Sequence, residues 1–235
     1  MRHVVECKTW EDYKRSLSRY SRLPLSRRKQ FIFRGLTSSE WPLQTTLDRQ
    51  RIFRSNDQRS ACIESLIAEF NKASYGLPAT ERLSLTPLGW ELLARHHGLP
   101  TPILDWTESP WIAAFFAFDD AVGRDVKNVS IWTFDREKFL AKEDFPVRLI
   151  DDEDAIRFNL RAIEQRGLFM RVARVDKPVE VLLGDALARF DIPASESKIA
   201  LADLDEMMVN SRLLFRDLDG AARMATRRVL HLGDD

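Results

Sequence analysis

The run Arg95-His96-His97-Gly98-Leu99-Pro100-Thr101-Pro102-Ile103-Leu104-Asp105-Trp106-Thr107-Glu108-Ser109-Pro110 decides most of what can be read from this chain. It leaves one helix and enters another. The helix before it starts at Thr86, a cap residue followed by Pro87, and Gly98 sits just past its end; proline inside the start and glycine beyond the end punctuate a helix. The helix after it opens the same way, with Ser109 and Pro110. Between them the chain reads as a linker, yet a stiff and partly apolar one, with two prolines, an Asp, a Trp and a Thr. Stiffness costs chain entropy and fits a place where side chains must be held still.

Working outward, Phe31-Ile32-Phe33-Arg34-Gly35 is an apolar strand that ends in an arginine. Thr9 caps a helix to about Tyr20, with Asp12 three residues on, as in a capping box. Arg59 to Ser74 has helical spacing of apolar residues. Trp111 to Val122 is apolar nearly all round, so that helix belongs inside. Val129–Phe134, Val147–Ile150 and Leu168–Val175 read as strands, and Asp154–Glu164 as a helix. A short helix to Ala141 follows Asp135, Lys177–Phe190 holds a helix or a strand and a helix, and Leu201 onward is mainly helical with a break near Asp217–Gly220. Short strands mixed with long helices predict a single α+β domain with small mixed or antiparallel sheets and helices packed on them.

The chain has 235 residues, 44% of them hydrophobic and 31% charged, and a formal net charge of zero, which excludes a strong indiscriminate grip on nucleic acid by the whole surface. A local patch is still open: Lys14 to Arg34 carries eight basic residues and no acid. An acidic counterpart runs through Glu143, Asp144 and Asp151–Asp154. The bland reading of both runs is solvated surface. Cys7 and Cys62 form no CxxC pair, which fits a reducing compartment. The first residues lack a long apolar run and nothing approaches a membrane span, so the expectation is a cytoplasmic protein with no membrane partner.

Arg34 can grip a phosphate or carboxylate with paired hydrogen bonds, and Gly35 beside it lets a ligand approach the backbone. Equally, Arg34 can be an ion-pair partner of a buried acid such as Asp105. Asp105 and Thr107 precede a helix N-terminus, where anions are favoured, but both are also ordinary turn and cap residues. Trp106 can stack on a planar base or fill a core. His96 and His97 point about 100° apart on a helix and cannot chelate one metal together. Glu164 can act as a base, Gln165 cannot, and a helix-end role is the default for both. Zinc-type spacing and the GxGxxG, Walker and GxSxG signatures are absent, and no acidic metal cluster for a nuclease stands out.

Taken in order, Phe33-Arg34-Gly35, His97-Gly98-Leu99-Pro100-Thr101 with Leu104-Asp105-Trp106-Thr107, Gln165-x-Gly167-x-Phe169 and the closing Leu214-Phe215-Arg216-Asp217-Leu218-Asp219-Gly220 resemble the FRG domain family. The resemblance implies a division into residues 1–30, a strand and helix integral to the domain, residues 31–228 as the FRG-like domain, and residues 229–235 as a tail. Two positions depart from the pattern: Pro102 stands where the family usually has an arginine, and Arg216 where it often has a proline. The first departure removes a second ligand-binding arginine from that loop.

A weaker likeness is to ADP-ribosyltransferases, with an Arg-Gly on a strand, a Thr before a helix and a Glu or Gln in a late turn. It implies a split sheet and NAD as co-substrate without a metal. Arg34, Gly35, His97, Trp106 and Thr107 would bind NAD, and Asp105, Thr107, Glu164 and Gln165 would serve the chemistry. Gln165 departs from the acidic residue of that group. The implied function is an NAD-consuming toxin or phage-defence effector that modifies protein or nucleic acid and is restrained by an inhibitory partner. The alternative is a non-catalytic nucleotide-binding or protein-interaction module.

Overall fold

The computed structural model describes residues 3–50, 52–77, 85–139, 145–150 and 160–231. The elements follow in the order β1 (His3–Glu6), α1 (Trp10–Ser21), α2 (Leu25–Arg28), β2 (Phe31–Leu36), α3 (Thr46–Gln50), α4 (Asn56–Ser74), α5 (Pro87–His96), β3 (Ile103–Thr107), α6 (Pro110–Asp119) and β4 (Asn128–Asp135). Then come β5 (Val147–Ile150), α7 (Leu160–Glu164), β6 (Gly167–Val172), α8 (Val179–Leu183), β7 (Leu187–Pro193), α9 (Ser197–Glu206), α10 (Ser211–Phe215) and α11 (Leu218–Thr226). The acidic run at Glu143, Asp144 and Asp151–Asp154, and the first part of the helix expected from Asp154, lie outside the described residues.

The α+β class holds. Among the described residues the strands join in one mixed sheet of seven, in the order β1-β7-β4-β2-β3-β6-β5. Only β1 and β7 run parallel; the other neighbours are antiparallel. One join is different from the rest. Strand β2 has six register pairs with β4, but a single pair with β3, Phe33 opposite Thr107. Beyond that pair the two strands part, which leaves a narrow seam inside one sheet; the several small sheets of the sequence reading are replaced by this single one.

The linker of the sequence reading is in fact a central strand. Ile103–Thr107 pairs along its whole length with β6. Its alternation, with Leu104 and Trp106 in one core and Ile103 in another, is the signature of a strand buried on both faces. The two prolines mask it by looking like loop punctuation. The helix caps are where the sequence puts them: Thr9, Thr86 and Ser109 each accept a hydrogen bond from the N–H three residues on, at 3.1–3.3 Å. In the segment expected to hold a helix or a strand and a helix, the order is α8, then β7.

One face of the sheet carries a helical layer in two halves. Helices α1, α6 and α9 pack over the β2-β4-β7 half, with Trp10, Tyr13, Phe118 and Leu204 buried between them. Helices α5 and α7 cover the β3-β6-β5 half through Leu92, Ala162, Ile103 and Phe169. Helix α6 buries seven of its residues, as its all-round apolar sequence requires. The opposite face holds Ile32, Leu104, Trp106, Trp132, Phe134 and Met170 under α8. Each large side chain buried this way contributes on the order of 2 kcal/mol of transfer free energy. The two halves of the helical layer meet above the β2–β3 seam, and the seam is where the site lies.

Candidate functional site

A cavity of about 400 Å³ opens at the seam, lined among others by Arg34, Gly35, Asp105, Trp106, Thr107 and Gln165. Residues distant in the chain therefore do meet. Alternation along β2 assigns Arg34 to the same face as Ile32 and Leu36, but with β3 moved away the guanidinium crosses the gap. Its Nη1 donates to the Asp105 carbonyl at 2.6 Å. Its nearest carboxylate oxygen, Asp105 Oδ2, is 3.9 Å away, and its Nε is buried with no partner. The side chain is 12% exposed. Burial lowers the Arg34 pKa to about 10; Arg95 and Arg49 add to the effect and Asp105 opposes it. Arg34 is thus a charged donor with unused hydrogen-bonding capacity.

Asp105 is held by a different arginine. Arg95, in the last turn of α5, donates from Nε to Oδ1 at 3.0 Å and from Nη2 to Oδ2, and its Nη1 reaches Thr46 at 3.0 Å. Burial pushes the Asp105 carboxyl up, but the Arg95 guanidinium, with Arg34 and Arg49, holds it net below the ordinary carboxylate value. Arg49, exposed on α3, also lines the cavity. Its helix is anchored by its neighbour Asp48, which Arg59 of α4 grips at 2.7 and 2.9 Å. Three guanidiniums around one carboxylate leave an excess of positive charge on this wall. The opposite wall is aromatic: Phe116 and Phe215 meet edge to face at 6.1 Å, and Trp41 stands half exposed nearby.

The remaining sequence candidates divide. Thr107 is 5% exposed and already engaged: its hydroxyl donates to the Gln165 carbonyl at 2.7 Å and accepts from the Ser109 N–H at 3.1 Å. It fixes the turn that carries Gln165. The Gln165 amide donates to the Leu214 carbonyl at 3.3 Å, which turns its oxygen into the available atom. Trp106 packs its indole against Phe134 at 5.9 Å in the core of the other face, as the core reading expects. Gly35 has a packing role: a Cβ there would stand 2.0 Å from the Ala113 carbonyl of α6. The glycine lets a helix approach the strand. His97 is exposed at the end of α5 and does not line the cavity; His96 does. Glu164 also lies outside the lining and pairs with Arg216 at 2.9 Å.

Arg49, Arg95, Trp41, Phe116 and Phe215 line the site without having been singled out for chemistry, and His96, weighed together with His97, lines it as well. Arg95 was visible only as a basic residue in a last helical turn, where the helix dipole explains it. Among the described residues no group of three or more His, Cys, Asp or Glu comes together, and no helix is long and apolar enough to cross a membrane.

No curated protein and no solved structure matches this chain. A family model does: residues 29–125, from the end of α2 through β2, the Arg95–Asp105 region and α6, match the FRG domain. That stretch supplies both strands of the seam and three arginines of the cavity.

Proposed function

We propose that the cavity binds NAD and that the protein is an ADP-ribosyltransferase-like enzyme that cleaves the nicotinamide–ribose bond. The observation that carries this reading is the buried Arg34 guanidinium, with its unpartnered Nε, facing the same cavity as Arg49, Gln165 and the Phe116–Phe215 wall. A dianionic diphosphate fits the guanidiniums, and a planar base fits the rings. A cavity of about 400 Å³ is in the range of small-molecule sites.

The chemistry asked of the site is modest. The C1′–N bond breaks with its electron pair leaving on nicotinamide, the ribose passes through an oxocarbenium-like state, and a nucleophile adds at C1′ and loses its proton. Arg34 and Arg49 would fix the diphosphate, the Gln165 amide oxygen would take a ribose hydroxyl, and Thr107 would hold the Gln165 turn. Positioning of this kind lowers barriers by several kcal/mol, about 7–11 at the upper end. Asp105, neutralised by Arg95, acts by orienting that arginine and receiving Arg34 on its carbonyl.

The second reading is a nucleotide-binding module without catalysis. It is favoured by one observation: Glu164, the acid expected to activate an acceptor, points to Arg216 and not into the cavity. Incubation with NAD, with released nicotinamide measured by chromatography and binding by calorimetry, separates the two. Release that disappears in Arg34→Ala supports the enzyme. Binding without release supports the module, and no binding defeats both.

A further inference from the structure

A second groove, of about 730 Å³, lies between α1 and the ends of β4 and β7, and the NAD reading makes no use of it. Arg15, Arg19 and Arg22 form one of its walls, at i, i+4 and i+7 along α1 and its C-terminal cap, the face opposite the buried Trp10, Tyr13 and Leu17. Arg19 and Arg22 are exposed and have no hydrogen bond or ion pair among the described residues. Lys138 adds a further exposed cation across the groove.

The acids of the groove are largely spoken for. Asp12 is held by Arg15 at 3.1 Å, and both oxygens of Asp135 are held by Arg27 at 2.9 and 2.5 Å. Hydrogen bonds and charge from Arg27 outweigh burial and keep the Asp135 carboxyl below its ordinary value. Arg27 itself stands outside the lining, over the Phe31 ring at 4.4 Å. The lining therefore keeps Arg19, Arg22 and Lys138 as exposed cations.

One further feature distinguishes this groove from a plain charged surface. Phe31 and Phe190 line it with half-buried rings.

We infer that this groove binds single-stranded nucleic acid, with phosphates on Arg19 and Arg22 and a base against the aromatic rings. Guanidiniums fork onto phosphate oxygens, and aromatic faces take any base, so the combination favours a nucleic-acid strand over an acidic peptide, which has no use for the rings. The groove and the cavity share a strand. Phe31 lines the first and Arg34 the second, three residues or about 10 Å apart along β2. A strand seated in the groove is within reach of the cavity as an acceptor. That role rests on the NAD reading; the binding does not.

The test is fluorescence anisotropy of the full chain with labelled single-stranded RNA and DNA of about 20 nucleotides, over a series of salt concentrations. The expected result is salt-dependent binding that weakens on the order of tenfold in Arg19→Ala/Arg22→Ala, with the log–log salt slope reduced by about 1.4 for two lost phosphate contacts. Both positions are exposed, so an unchanged thermal midpoint shows that the variant folds. Binding by Arg34→Ala should equal that of the wild type. No binding, or binding unchanged in Arg19→Ala/Arg22→Ala, overturns the inference. So does a labelled polyglutamate of equal length that binds as tightly and responds to the same substitutions. Absence of NAD binding with oligonucleotide binding intact defeats the NAD reading and leaves the groove standing.

Discussion

Two arginines, Arg59 and Arg34, are both withdrawn from solvent, and they are treated in opposite ways. Arg59 is 2% exposed in its side chain and uses every nitrogen: Nε and Nη2 on Asp48, and Nη1 on the Val172 and Ala173 carbonyls at 2.9 and 3.1 Å. Arg34 makes one hydrogen bond, to a carbonyl, and leaves Nε unpaired. A guanidinium with all its donors satisfied is a structural cross-link, here tying α3 and α4 to the end of β6. One with donors in reserve, facing a cavity, is poised for a ligand. The sheet repeats the contrast at the two sides of β2, closed along β4 and parted from β3.

Substitution should separate the two sites. Arg59→Met leaves Asp48 as a buried carboxylate without its cation, and it should destabilise the fold by about 3–5 kcal/mol, read by urea or thermal unfolding. Arg34→Met removes a desolvated charge whose neighbour Asp105 keeps Arg95, so the change in stability should stay within about 1 kcal/mol, while NAD affinity falls at least about tenfold. Equal destabilisation by the two substitutions would make Arg34 a second cross-link and remove the main support for a ligand site.

Gly35 tests the parted side from another direction. A Cβ at this position would also stand 2.8 Å from the Ala117 nitrogen, and helix backbone cannot yield as a side-chain tip does. Gly35→Ala should therefore push α6 off β2 at a cost near the upper end of the overpacking range, about 3 kcal/mol. Calorimetric unfolding measures it. Wild-type stability would mean that α6 moves freely over the seam, and that the cavity is not held open by a fixed helix.

The sequence carried much of this, and its failures have physical reasons. Helix starts at Thr9, Thr86 and Ser109 were legible because capping is local chemistry. Gathering of Arg34, Asp105, Thr107 and Gln165 at one cavity followed from motif order. Strand β3 was missed because Pro100 and Pro102 imitate a loop, while the pairing with β6 that makes Ile103–Thr107 a strand is with residues sixty or more positions away. Arg49 and Arg95 were missed because an arginine on a helix looks the same whether it faces water or a cavity. Only the docking of α3 and α5 decides that. His97 was chosen over His96 by motif, whereas the helix turn exposes the first and points the second at the cavity.

The smallest effect should come from Asp105, and it reports on how the arginines share that carboxylate. Arg95 takes both oxygens, and Arg34 stands at 3.9 Å. Together with Arg49 they keep the folded-state carboxyl below its unfolded value. The sign follows: the ionised carboxylate stabilises the fold fully above the unfolded pKa of about 4, and that contribution is lost as pH falls through the lower folded value. Asp105→Asn should lie below the wild type at neutral pH, and the gap should close as acid is added, seen as converging curves of thermal midpoint against pH. The gap should be small, because 45% of the Asp105 side chain remains exposed and solvent screens the attraction. Parallel curves would mean that the carboxylate is not held by charge at all. Arg34 would then have lost the attraction of Asp105, and its place at the cavity would have to be explained by the carbonyl bond alone.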